Sequence, residues 1–185
     1  MPNRDSVLIS RQDGGNLVIN PPREVWERSE LTALELTNWT FLAAATGNAM
    51  LDVLPQLEEG CINYWEAGNW ALNLEAEPEG VVKTAKEYRK VHLHLLGRNR
   101  ESSNPLTKWG ESPKFPKFAD RFRWAENYER LTAEECQRVV KLVEILLKEK
   151  FEMAESQMAT SELCEICGYP ISLNSAQMRL CNECQ

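Results

Sequence analysis

The sequence predicts an α+β fold with a small metal-bound appendage. Three observations carry this: short β-prone runs bounded by Gly and Pro, two long amphipathic stretches opened by capping boxes, and a cysteine-rich tail. Their order is strands, helix, strands, helix, tail, which is not the strict strand–helix alternation of a parallel sheet.

Val7 to Ser10 and Leu17 to Asn20 are β-prone, and Asp13-Gly14-Gly15 between them reads as a hairpin turn. Pro21-Pro22 ends the second run. Thr32 with Glu35 three residues on forms a capping box, and Leu36, Trp39, Leu42, Ala43 and Met50 continue at helical spacing until Pro55. Cys61 to Trp65 reads as a strand, Gly68-Asn69 as a turn, and acidic residues 75–80 as an exposed loop. Lys90 to Arg98 is the next strand. Asn99 to Phe118 holds three prolines and little periodicity, so an irregular segment pinned by Trp109, Phe115 and Phe118 is expected. A second capping box, Thr132 with Glu135, opens a helix whose apolar face is Cys136, Val139, Val140, Val143, Leu146 and Leu147. Residues 1–155 are expected to form the main domain and 160–185 the appendage.

Of the 185 residues, 43% are hydrophobic and six are tryptophans, enough to build a packed core. No run approaches the roughly 18 apolar residues of a membrane span, and the N-terminus lacks a signal-peptide core, so a cytoplasmic protein is expected. In such a reducing compartment clustered cysteines point to metal, while lone Cys61 and Cys136 read as buried core thiols. The net charge of −7 argues against general nucleic-acid binding. From Lys83 to Arg130, however, 12 Lys/Arg face 6 Asp/Glu, which suggests either a solvated basic face or an anion-binding region.

The tail carries two CxxC pairs, Cys164/Cys167 and Cys181/Cys184, separated by 13 residues. Two such turns complete a tetrahedral four-thiolate zinc site, a structural one because no position is left for water. A redox CxxC normally opens a helix after a strand, and two of them in so short a tail would be unusual. A segment of about 25 residues is too small to hold itself by a core, so metal supplies its folding energy. Glu162, Glu165 and Glu183 against Arg179 make its surface acidic, which favours docking on the main domain or a protein partner over nucleic acid.

His92 and His94 are the chain's two histidines. On a strand they share a face with Lys90, while Val91, Leu93 and Leu95 face the core. A bare HxH is a common structural pattern; here two imidazoles beside an ammonium also suit phosphate oxygens. Nothing nearby has the spacing of further metal ligands.

The run Val91-His92-Leu93-His94-Leu95-Leu96-Gly97-Arg98 resembles the signature of the histidine triad (HIT) superfamily, matching its second and third histidines and the residues after them. Gly15 to Arg23 resembles the family's strand ending in proline and a basic residue, and Ile62-Asn63 with Gly68-Asn69 resembles its asparagine-bearing strand and loop. The likeness covers roughly residues 5–100. Lys90 replaces the first histidine, Glu24 stands where a further imidazole would be, Glu87 lies near a usual hydroxyl residue, and about 73–86 is an insertion.

The resemblance implies a HIT-like antiparallel sheet of about five strands with packed helices, followed by the zinc ribbon, and a homodimer. It implies a hydrolase or nucleotidyl transferase acting on a nucleoside phosphate such as a dinucleoside polyphosphate. His92 would be the nucleophile, forming a nucleotidyl-histidine, and His94 would support it. Lys90, Arg98, Asn63 and Asn69 would bind substrate. The alternative is a non-catalytic nucleotide-binding or protein-interaction module using the same face and the ribbon. A DNA-end-processing HIT enzyme is a looser comparison, because such enzymes mix Cys and His at zinc and are basic.

Overall fold

Two capping boxes start the long helices where the sequence places them. In a computed structural model describing residues 7–66, 68–76, 80–153, 162–163 and 170–171, helix α1 spans Ala33–Val53. The Thr32 hydroxyl accepts from the Glu35 N–H, and the Glu35 carboxylate accepts from the Thr32 N–H at 2.8 Å. These bonds satisfy two of the donors that every helix start leaves open. The helix stops at Val53 because Pro55 has no N–H to continue the ladder. The Thr132–Glu135 box repeats the arrangement at the start of a second long helix, Ala133–Glu149.

Strand β1 is Asn16–Ile19, β2 is Cys61–Trp65 and β3 is Leu93–Arg98. Between β2 and β3 lies a single helical turn, α2, Ala85–Tyr88; after β3 comes α3, Arg121–Ala125, so the Ala133–Glu149 helix is α4. The strands form one antiparallel sheet in the order β1-β3-β2, with the histidine strand in the middle. The register pairs His94 with Val18 on one side and with Trp65 on the other. The α+β class holds.

The sheet has three strands among the described residues, fewer than the five expected. Val7 to Ser10 is buried but is not a strand: the side-chain carbonyl of Asn16 accepts from the Leu8 and Ile9 N–H groups in place of a ladder. The expected hairpin turn is instead a 3-10 turn at Arg11–Asp13 followed by two glycines at positive φ, +126° and +72°. Glycine is required at the first of these, since a Cβ on Gly14 would lie 2.4 Å from the Gly97 carbonyl carbon. Two further short strands, β4 (Glu162–Leu163) and β5 (Pro170–Ile171), pair only with each other.

Alternation along the strands sorts their side chains to two faces. Leu17, Ile19, Leu93 and Leu95 join Trp39, Leu42, Ala49 and Met50 of α1 and Cys136, Val139, Val143 and Leu147 of α4 in the main core. Each leucine, isoleucine, valine or methionine among them contributes roughly 1.5–3 kcal/mol on burial. The opposite face carries His94 and Leu96, and it is covered as well: Leu8 and Ile9 pack there with Trp65, Trp70 and Phe115. All six β3 residues are therefore buried, not half-solvated. Leu36, assigned to the core face of α1, is 37% exposed, and Cys61, expected buried, is exposed, whereas Cys136 is buried. Cys61 sits on edge strand β2, outside the cover over its neighbours.

After β3 the chain has neither helix nor strand until Phe118, as its prolines predict. Phe115 stacks on Trp65 at 4.6 Å, and Phe118 meets Trp70 edge-on at 5.2 Å, so two of the three expected anchors hold this segment. Trp109 is 39% exposed. No helix among the described residues is long and apolar enough to cross a membrane.

Candidate functional site

His92 precedes the β3 ladder and His94 lies within it, yet both reach one cavity of about 320 Å³. That volume lies at the lower end of the ~300–1,000 Å³ typical of small-molecule sites. Val18, Trp70, Leu72, Tyr88 and Phe118 give it an apolar and aromatic wall, and Asn20, Arg89, Lys90 and Arg121 supply polar groups. The wall is assembled from β1, the turns after β2, the end of α2 and the start of α3.

The two rings are locked together. His92 Nδ1 lies 2.7 Å from the Lys90 carbonyl oxygen, which can only accept, so Nδ1 carries the proton. In the neutral ring this leaves Nε2 as a lone pair. His94 Nε2 lies 3.0 Å away and therefore donates to it. His94 is 4% exposed, and its Nδ1 is buried without a hydrogen-bond partner among the described residues. Burial, with the neighbouring His92 adding to it, pushes the His94 pKa down to about 3, so His94 is neutral at pH 7. Trp65 lies against the His94 ring at 5.2 Å.

Two of the cavity's cations, Lys90 and Arg89, are paired with carboxylates brought from elsewhere in the chain. Lys90 Nζ lies 2.7 Å from Glu24 Oε1, with both side chains largely exposed. Thus Lys90 and Glu24, two positions where the sequence departs from the HIT pattern it resembles, meet each other. Arg89 is held more firmly, by Glu66 at 2.7 Å and by Glu27, and Arg28 also reaches Glu66. The hydrogen bond from Arg89 leads the interactions that hold the Glu27 carboxyl below its usual range. Arg121 stacks on Phe118 at 3.7 Å and donates to its carbonyl.

Of the residues singled out in the sequence, Lys90, His92 and His94 come together; Asn63, Arg98 and Asn69 do not join them. Arg98 shares the His94 face but lies at the far end of β3. It is 4% exposed, and its guanidinium donates to Asn63 Oδ1 at 3.0 Å and to the carbonyls of Thr107, Lys108 and Glu111. It secures the loop after β3, and Asn63 is taken up in the same task. Asn69 is exposed in the turn after β2, outside the cavity wall. Glu87 bonds the Thr84 hydroxyl ahead of α2. Sequence reasoning missed Asn20, Arg89, Tyr88, Trp70 and Phe118. Asn20 alone had a usable signal, since it lies two residues beyond Val18, the cross-strand partner of His94.

Cys164, Cys167, Cys181 and Cys184 lie outside the described residues, but β4 and β5, which bracket the first pair in sequence, are antiparallel partners. Among the described residues no group of three or more His, Cys, Asp or Glu side chains converges on a metal position. Comparison with protein-family models, with curated proteins and with solved structures finds no match to the chain.

Proposed function

We propose that the chain is a HIT-like nucleotide hydrolase or nucleotidyl transferase with His92 as its nucleophile and a zinc-ribbon tail. The observation that carries this reading is the bond from His92 Nδ1–H to the Lys90 carbonyl. It fixes the tautomer in which the Nε2 lone pair is the reactive group of a cavity that also holds an aromatic wall. In the reaction, Nε2 forms a bond to the α-phosphorus of a nucleoside phosphate. The bond from phosphorus to the leaving group breaks, and the leaving group departs with the bonding electrons and takes its proton from solvent. Water then attacks the nucleotidyl-histidine, releasing the nucleoside monophosphate and restoring the imidazole.

For the attack, the His94 N–H must leave the His92 lone pair. The phosphoryl oxygen of a bound substrate is the natural new acceptor, which turns a resting hydrogen bond into a stabilising one. Lys90 adds positive charge at the same oxygens once it exchanges Glu24 for substrate. The aromatic wall suits a nucleobase. A volume of about 320 Å³ favours one nucleoside unit inside, with the rest of a dinucleoside polyphosphate outside.

A non-catalytic binding module is the second reading, favoured by the ion-paired state of Lys90 and Arg89. A fluorogenic nucleoside phosphoramidate and a dinucleoside polyphosphate separate the two. Turnover is expected that disappears in His92→Ala with the fold intact, together with an acid-labile nucleotidyl adduct by mass spectrometry. Nucleotide binding without turnover of either substrate would refute the catalytic reading and leave the module.

Four thiolates in two CxxC pairs suit zinc in a closed tetrahedral site, and the pairing of β4 with β5 around the first pair supports a ribbon. Its role is structural, holding the tail and presenting an acidic surface to a protein partner. Metal analysis is expected to find one zinc per chain, lost in Cys164→Ser/Cys181→Ser. A wild-type protein purified without zinc and folded in its tail would overturn that assignment. A homodimer and a cytoplasmic location belong to the same reading.

A further inference from the structure

His94 is held with little help from hydrogen bonds. Among the described residues its one side-chain hydrogen bond is to His92, and its other ring nitrogen is buried without a partner. A single bond at one nitrogen does not fix the plane of an imidazole, so packing must. Trp65 is the cross-strand partner of His94, on the same face of the sheet, with ring centroids 5.2 Å apart and planes inclined by 38°. Trp65 is itself immobilised: Phe115 stacks on it at 4.6 Å and Trp70 meets it edge-on at 5.8 Å. Trp65 does not line the cavity, so it acts on the chemistry through the neighbours it touches there, His94 and the wall residue Trp70.

We infer that Trp65 is a positioning residue for the histidine pair: backed by Phe115, it sets the plane of His94 so that His94 Nε2 meets His92 Nε2. This extends the proposed function, because it takes the pair as the reacting groups. In physical terms, the aromatic column substitutes for the hydrogen bond that His94 Nδ1 lacks. It also makes the irregular segment after β3, which supplies Phe115, part of the site's scaffold.

The test uses the full chain with ¹⁵N-labelled histidine, comparing wild type with Trp65→Phe, Trp65→Leu and Phe115→Leu. Two-bond proton–nitrogen correlations read the tautomer of each ring, and the phosphoramidate assay reads kcat and KM. In wild type and Trp65→Phe, His92 is expected protonated at Nδ1 and His94 at Nε2. In Trp65→Leu, His94 is expected to average between tautomers, with kcat falling about tenfold and KM moving less than twofold. Phe115→Leu is expected to show a smaller change of the same kind. Unchanged tautomers in Trp65→Leu would overturn the inference, as would a loss of kcat that phenylalanine does not restore. Should Trp65→Leu not fold, Phe115→Leu decides, and unaltered His94 signals there overturn it. Tautomer changes as described in a protein with no turnover at all would sustain the positioning role and remove the hydrolase reading instead.

Discussion

Acidification should destabilise this protein through His94, and the size of the effect follows from its burial. The imidazole is 4% exposed, and burial, followed by the proximity of His92, lowers its pKa from 6.5 to about 3. A base with a depressed folded pKa is neutral in the native state while the unfolded chain takes up a proton below pH 6.5. Its contribution to stability is therefore complete above pH 6.5 and is lost progressively as pH falls toward 3. Between pH 7 and pH 5 this linkage costs about 2 kcal/mol, a shift on the order of 1 M in a urea midpoint. Carboxylates add their own acid sensitivity, so the informative quantity is the difference between wild type and His94→Gln. Urea unfolding at pH 7, 6 and 5 should show wild type losing about 2 kcal/mol more than the variant over that range. Parallel losses in the two proteins, or a His94 imidazole titrating near pH 6.5 by NMR, would refute the assignment of a dry, neutral His94.

Other perturbations probe the scaffold and the rim of the cavity. Arg98→Met deprives Asn63 and three loop carbonyls of their donor and should cost roughly 2–4 kcal/mol in denaturant unfolding. It should leave nucleotide affinity nearly unchanged, and a selective loss of affinity would return Arg98 to the site. Gly14→Ala places a methyl group 2.4 Å from the Gly97 carbonyl carbon at φ +126°, so a loss of more than about 2 kcal/mol is expected from the thermal midpoint. Glu24→Gln releases Lys90 from an exposed ion pair worth up to about 1 kcal/mol, so affinity for a nucleoside monophosphate should rise up to about fivefold by calorimetry. Weaker binding in that variant would show that Glu24 serves the ligand directly.

Local rules made the helices legible. Each capping box is a four-residue pattern whose bonds close within the pattern, so Thr32–Glu35 and Thr132–Glu135 fold as they read. Strand β2 was legible as well, to the residue. The segment from Val7 to Ser10 was not, although its composition is that of a strand. Two of its N–H groups, those of Leu8 and Ile9, are met by the side chain of Asn16, a competitor eight and seven residues away that no propensity registers. The same limit applies to β3. Periodicity placed Lys90, His92 and His94 on one face, but it could not reveal that Leu8, Ile9 and Phe115 would cover that face. Nor could it reveal that the covering would make His94 dry.

Charge counting has a related limit. The excess of lysine and arginine between residues 83 and 130 suggested either a solvated basic face or an anion-binding region, and a linear tally cannot show which carboxylates the fold returns to those cations. Glu24, Glu27 and Glu66 all precede the basic segment, and they meet Lys90 and Arg89 at the cavity. Arg98, one of the two cations the resemblance offers to substrate, is turned inward to hold a loop. Lys90 and Arg89 are thus less positive at the resting cavity than in the sequence, and a phosphate must displace a carboxylate to reach either. Lys90 is the one placed to allow this, because both members of its pair are largely exposed and such a pair is worth at most about 1 kcal/mol. Arg89, half buried between two carboxylates, is a strut. Under the proposed reading, the site then offers a phosphate two histidine rings and one exchangeable lysine, a smaller set of groups than the motif suggests.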